Sequence, residues 1–209
     1  MNFADVLKTR RSIRKFKPLA VPSEDLREIV RLATLAPSAG NRQMWRFITV
    51  TNPELIRRMR DAVERRIEVM AGWDAAKGRE QRVLASKSHN LFFGSAPAVI
   101  VVAGEPYRSL TDELLEDHGL SRAEIDRLRA RPDLQSLGGA IQTLMLAAWS
   151  KGYGTTWMTG PLVAARELEE LLGVKEPWSV VALVPVGLPA EQPGPRPRKP
   201  LDEVFELLS

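Results

Sequence analysis

Hydrophobic positions along the chain recur in two rhythms. A period near 3.6 runs through Leu26, Ile29, Val30, Ala33 and Ala36, which predicts an amphipathic helix capped by Ser23 and stopped by Pro37. The same period in Leu55, Ile56, Met59, Val63, Ile67 and Met70 predicts a longer helix. Asn52-Pro53 opens it, with asparagine as cap and proline in the first turn, and Arg57, Arg58, Glu64 and Arg65 solvate its far side. Leu134 to Ser150 is apolar nearly all round, with Leu137, Ile141, Leu144, Met145, Ala148 and Trp149 on one face and Leu146 and Ala147 widening it. Such a helix belongs in a core or an interface, and Gly138-Gly139 would let another backbone come close.

The second rhythm is short and apolar. Trp45 to Val50, Ala96 to Ala103 and Ser179 to Gly187 are β-rich runs bounded by turn residues, which predicts strands, the last two buried. Weaker signals place a short helix over 2–9 with Asn2 as cap, one from about Glu80 to Phe92, and one over Leu162 to Leu172 closed by Gly173. Gly152 to Trp157 reads as a turn into a short strand, and Met158 to Pro161 as a second turn. Residues 105–132 are charged and helical, with a capping box at Ser121-x-x-Glu124, and form a surface excursion: a lid or a passive insertion. Gln192 to Pro200 holds four prolines and predicts an extended arm over 190–209. The expected organisation is one α+β domain over 1–209.

Composition narrows the chemistry. A chain of 209 residues with 44% hydrophobic content can bury a full core. It has no cysteine, which excludes disulfides, thiolate metal sites and cysteine nucleophiles. Residues 1–20 lack an apolar signal core and the longest apolar runs are far too short to span a bilayer, so a cytoplasmic protein without membrane contact is expected. The net charge of +4 comes from 30 basic and 26 acidic residues that are interleaved, with only 6% aromatics, which argues against nucleic acid. His89 and His118 have no ligand-like spacing, so no metal is expected. No G-x-S-x-G elbow, P-loop or dinucleotide fingerprint occurs.

Two stretches remain. Arg10-Arg11-Ser12-Ile13-Arg14-Lys15-Phe16 crowds three arginines and a hydroxyl into five positions, with Ile13 and Phe16 as apolar anchors. An arginine fork matches phosphate oxygens, and serine can donate beside it. On these residues alone the strip reads first as a solvated basic surface. Pro37 to Gln43 changes the balance, because it offers backbone amides, a hydroxyl and side-chain amides to something flat and polar. With no evident acid, base or nucleophile, the chain suits a protein that binds an anionic planar cofactor and leaves the chemistry to it.

Arg10 to Phe16, Pro37 to Trp45 and Gly152 to Pro161 together resemble the three signatures of the nitroreductase family of flavoproteins, in order and across the chain. The resemblance implies a nitroreductase-like α+β fold with a mostly antiparallel sheet. It also implies an intertwined homodimer binding FMN at the interface. Arg10 would then meet the phosphate, Ser12 and Arg14 the ribityl chain and the N1/O2 edge, and Arg11 backbone or phosphate. Pro37, Ser38, Ala39 and Asn41 would come from the partner, with Gln43 near the pyrimidine edge. Trp157, Met158, Thr159 and Gly160 would line the other face, and Arg196 and Arg198 would close on the phosphate. No catalytic side chain is implied, because the flavin N5 carries the reaction. The family's activity is ping-pong reduction of nitroaromatics, quinones or similar acceptors by NAD(P)H. Met44 stands where a proline is frequent and Thr159 where some members carry an acid, which leaves substrate range open. The rivals are a reductive dehalogenase, a flavin-cleaving enzyme of cobalamin-ligand synthesis, and an FMN carrier or sensor without turnover.

Overall fold

The computed structural model describes residues 2–208. Helix α1 (Phe3–Thr9) starts at Asn2, whose side chain accepts from the Asp5 amide at 2.9 Å. Next come α2 (Ser23–Ala33), β1 (Trp45–Val50), α3 (Pro53–Ala71), α4 (Glu80–Ala85), α5 (Lys87–Asn90) and β2 (Ala98–Gly104). The second half holds α6 (Leu110–Asp117), α7 (Arg122–Arg129), α8 (Pro132–Ser150), β3 (Gly154–Thr155), α9 (Ala165–Leu172) and β4 (Ser179–Gly187). The α3 start is as the sequence predicts: the Asn52 side chain accepts from Glu54 and Leu55 amides, and Pro53 fills the first turn, where a missing N–H costs nothing.

The four strands form one antiparallel sheet in the order β1-β2-β4-β3. Every residue of β2 is buried, which explains its unbroken apolar run. Ala98, Ile100 and Val102 face α2 and α8, while Val99, Val101 and Ala103 face α3 and the region around α9. Each fully buried Val or Ile stabilises this arrangement by about 1.5–3 kcal/mol. The register slips between Val102 and Ala103, which pair with Ala182 and Val180. Val181 is the extra residue of a bulge, so Val181 and Ala182 both lean toward α2 and α8 before alternation resumes at Leu183.

Several sequence expectations are corrected. Ser23 is not a cap: Pro22 precedes the helix in that position, and the Ser23 hydroxyl donates to Glu24 in the first turn. Residues 80–92 are not one helix but α4, α5 and a 3-10 turn at Phe92–Ser95. Side chains compete with the backbone there: Ser86 Oγ donates to the Val83 carbonyl at 2.6 Å and Asn90 Nδ2 to the Ser86 carbonyl at 3.0 Å. Phe93 is drawn fully into the core and sets the turn. The 162–172 helix is split likewise into a 3-10 turn (Gly160–Ala164) and α9, although Gly173 closes it as expected with φ of 66°. Among the described residues of this chain, no backbone atom lies within 4 Å of a Cβ built at Gly138 or Gly139 outside their own helix. A side chain at 138 would meet the Trp157 ring, and one at 139 would meet nothing within 4 Å. The Ser121/Glu124 capping box is present, and a second one at Ser109/Asp112 opens α6.

A polar staple joins α2 to the α8–β3 turn. The Tyr153 hydroxyl donates to Asp25 Oδ2 at 2.6 Å, and Lys151 Nζ lies 2.8 Å from Asp25 Oδ1. Hydrogen bonds from Lys151 and then Tyr153 lower the Asp25 pKa, while burial, followed by Asp25 itself, pushes the Tyr153 phenol up from 10.0 to about 12. Tyr153 therefore stabilises the fold fully below pH 10.0 and loses that contribution as pH rises toward about 12. Asp25 contributes above its ordinary 3.8 and loses its share as pH falls below it. Thermal unfolding across pH should show a steep alkaline decline in the wild type and a shallower one in Tyr153→Phe. Parallel alkaline limbs would mean the phenol is not held in this way.

Candidate functional site

The arginine strip is laid on the sheet's β3 edge. The Ile13 amide donates to the Thr155 carbonyl at 3.0 Å, and the Thr156 hydroxyl returns a 2.7 Å bond to the Ile13 carbonyl. The Lys17 amide donates to Leu188 and the Ala190 amide to Lys15, each at 2.9 Å. Ile13 is buried against Gly154, where a side chain would meet Ile13 Cγ1 at 2.5 Å. With Ile13 fixed inward, Ser12 and Arg14 turn the other way, as neighbours in an extended chain must.

They turn into a cavity of about 360 Å³ lined by Leu7, Lys8, Arg10, Arg11, Ser12 and Arg14 on one side and by residues 193–196 and 198 on the other. Its charged lining is wholly basic, and Arg196 and Arg198 of the arm supply the facing wall. Arg11 Nη1 is committed to the Lys8 and Arg10 carbonyls, at 2.9 Å each, so it braces the strip. Arg10 Nη1 is buried and has no hydrogen-bond partner. Burial, then the charges of Arg198 and Arg11, lowers the Arg10 pKa. A half-buried guanidinium that is repelled by its neighbours and keeps one buried nitrogen unpaired fits a ligand carrying a phosphate.

The second stretch lies elsewhere. Pro37 to Gln43 rests on the start of α8: the Ala39 amide donates to Ser136 Oγ at 3.1 Å, and that hydroxyl donates to the Pro132 carbonyl at 2.7 Å. Ser38 closes the loop, its hydroxyl accepting from the Gln43 amide at 3.0 Å and its carbonyl from Asn41 at 2.9 Å. Gly40, Asn41 and Gln43 have φ of 57°, 51° and 52°, and at the two non-glycine positions that region costs roughly 1–2 kcal/mol each. Such strain concentrates where a ligand is clamped. The Asn41 and Gln43 side chains are exposed, and no residue of this loop lines the arginine cavity of its own chain.

The third stretch is ordered by alternation. Met158 exchanges two 2.9 Å backbone bonds with Leu183 and buries its side chain in the core. It therefore offers no free polar group of its own, and instead holds Trp157 and Thr159 outward on either side. Trp157 lies beside Gly138 and remains 41% exposed. Gly160 is crowded by the Asn90 side chain, which leaves no room for a Cβ.

Four contributors escape sequence reasoning. Thr155 carries a buried hydroxyl without a partner. Thr156 fastens the strip, Glu191 holds its amides, and Asn90 presses on Gly160. Only the two threonines fall within a recognisable stretch. Among the described residues no three His, Cys, Asp or Glu side chains gather as a metal site, and no helix is long and apolar enough to cross a membrane.

Comparison with known proteins bears on this geometry. The family model described as "Nitroreductase family" matches residues 7–188. A putative NAD(P)H nitroreductase, YfhC of Bacillus subtilis, is 25% identical over 96% of this chain and 91% of its own. A BluB-like flavoprotein from Clostridium difficile 630 superposes with a TM-score of 0.91 at 27% identity, covering 100% of both chains. A nitroreductase with bound FMN from Desulfitobacterium hafniense superposes with a TM-score of 0.72 at 26% identity, again over 100% of both.

Proposed function

Because the chain belongs to the nitroreductase family, we propose that it is an FMN-dependent oxidoreductase that draws hydride from NAD(P)H and reduces a nitroaromatic, quinone or similar acceptor. The observation that carries this reading is the buried, unpartnered Nη1 of the half-buried Arg10, at a cavity whose charged lining is all basic. FMN would supply two-electron chemistry at its N5 position. Arg10, Arg196 and Arg198 would hold its phosphate, and Ser12 would add a hydroxyl donor. Arg14 would place positive charge beside the N1/O2 edge, set in advance of reaction. Thr159 and Gly160 are outward-facing and near the surface Trp157, where a main-chain amide could meet N5.

A homodimer completes this site. Pro37, Ser38, Ala39, Asn41 and Gln43 do not reach the arginine cavity of their own chain, so a second copy would deliver them. The arm beyond the cavity carries Leu201, Val204, Phe205, Leu207 and Leu208, all largely exposed, an apolar series suited to wrapping a partner. Residues 105–132 would act as cover. Their root is tied to the second stretch by the Glu105 amide on the Met44 carbonyl at 3.3 Å, with Tyr107 beside Gly40.

The 0.91 superposition on a BluB-like flavoprotein favours a second reading, a specialised flavoenzyme of the same fold. An anaerobic absorption titration separates the two. A yellow protein that bleaches with NADPH or NADH and recovers with a quinone or nitroaromatic supports the reductase. A yellow protein that neither donor bleaches supports the specialised enzyme or an FMN carrier without turnover. A colourless protein that FMN cannot reconstitute overturns both.

A further inference from the structure

We infer that Glu191 is a positioning residue, a latch that holds the C-terminal arm against the arginine strip and so sets the spacing of the cavity's two walls; its link to flavin rests on the FMN reading above. Glu191 Oε1 accepts from the Arg14 amide at 2.6 Å and from the Lys15 amide at 3.1 Å, across 177 and 176 positions of sequence. The neighbouring Ala190 amide donates to the Lys15 carbonyl at 2.9 Å. Three bonds thus fasten the point where the arm departs from the sheet to the backbone of the strip.

The arm beyond Glu191 is stiff. Pro193, Pro195 and Pro197 alternate with Gly194, Arg196 and Arg198, and this part of the chain has no helix or strand. A proline-rich extended chain advances about 3.1 Å per residue and keeps direction over several residues. Arg196 then stands roughly 15 Å along the arm from its anchor on that rise. Orientation fixed at Glu191 is therefore passed to Arg196 and Arg198, while the same carboxylate fixes the backbone that aims Arg14. Glu191 does not line the arginine cavity. It lies in a neighbouring recess of about 300 Å³ with Thr9, Arg11 and Trp149, so its charge is directed to amides and not at the anion.

Geometry and charge can be separated, because glutamine keeps the Oε1 acceptor and removes the charge. The full-length protein, its Glu191→Ala variant and its Glu191→Gln variant should be compared in two ways. The first is the release rate of FMN followed by flavin fluorescence. The second is hydrogen exchange of the peptide containing Arg14 and Lys15 in flavin-free protein. Glu191→Ala should release FMN at least about tenfold faster and exchange those amides faster, the loss of one charged-acceptor hydrogen bond being enough for that change. Glu191→Gln keeps the acceptor but makes neutral bonds in place of charge-assisted ones, so it should fall between the two, a few-fold from wild type and well short of Glu191→Ala in both. A Glu191→Ala protein that matches wild type in both measurements overturns the latch. A Glu191→Gln protein as impaired as Glu191→Ala also overturns it, since charge and not position would then matter. If wild type binds no FMN the proposed function falls, and equal exchange in the three proteins would by itself overturn the latch.

Discussion

An Arg10→Met variant is expected to bind FMN roughly a hundredfold more weakly while holding riboflavin, which lacks the phosphate, about as well as wild type does. Methionine keeps length and apolar stem but removes the guanidinium. In the wild type that group is half-buried, has a buried Nη1 without a partner, and feels Arg198 and Arg11. An incoming phosphate would meet an already desolvated donor, and a charge-assisted bond in such a setting contributes about 1.5–3 kcal/mol. The same logic gives a second result with the opposite sign. Flavin-free Arg10→Met should melt no lower than flavin-free wild type, because it removes a half-buried charge that Arg198 and Arg11 repel. Fluorescence titration with the two flavins and thermal unfolding without either provide both answers. Equal weakening toward FMN and riboflavin would take the phosphate role away from Arg10.

The elements that sequence rhythm identifies well are those whose neighbours are local. The β1 bounds, the Asn52-Pro53 start of α3 and the Gly173 stop of α9 follow from residues within a few positions of one another. Ser23 fails for a similar local reason, since Pro22 already supplies the extended backbone that enters the helix. The split of 80–92 is harder to foresee. It depends on Phe93 finding space beneath the sheet and on Ser86 and Asn90 turning onto carbonyls, neither of which alters the apolar period. The bulge at Val181 is invisible in a run where every residue is apolar.

The candidate site divides along the same line. The arginines were legible as residue types, and the structure adds that Arg10, Arg11, Ser12, Arg14, Arg196 and Arg198 share one cavity. That Met158 is a buried spacer between two outward neighbours could be read only once Leu183 was known to pair with it. Glu191 carries no motif at all, and its contact with Arg14 spans nearly the whole chain. Residues that orient others through backbone amides leave little trace in sequence, because the partner's identity is irrelevant to the bond.

The strip's dependence on close backbone approach makes Gly154→Ala the second large effect. Alanine is no problem for the backbone there, since Gly154 is not among the positive-φ glycines. The obstacle is steric: the new Cβ would lie 2.5 Å from Ile13 Cγ1, 2.6 Å from Ile13 Cβ and 2.9 Å from Ile13 Cγ2. No rotamer of Ile13 escapes, because its Cβ is itself too near. The strip must instead lift from β3, which loosens the Ile13–Thr155 and Thr156–Ile13 bonds of 3.0 and 2.7 Å. Overpacking of this kind costs about 1–3 kcal/mol and each weakened bond about 1 kcal/mol. At about 2–4 °C per kcal/mol for a chain of this size, the melting temperature should fall by roughly 10 °C. FMN affinity should fall with it, because the displaced segment carries Arg10, Ser12 and Arg14. Adding Ile13→Ala removes the two γ carbons but leaves the 2.6 Å Cβ contact, so the double variant should recover only part of the loss. A Gly154→Ala protein that melts within about 2 °C of wild type would mean the strip is far less tightly seated, and the positioning of its arginines would need another cause.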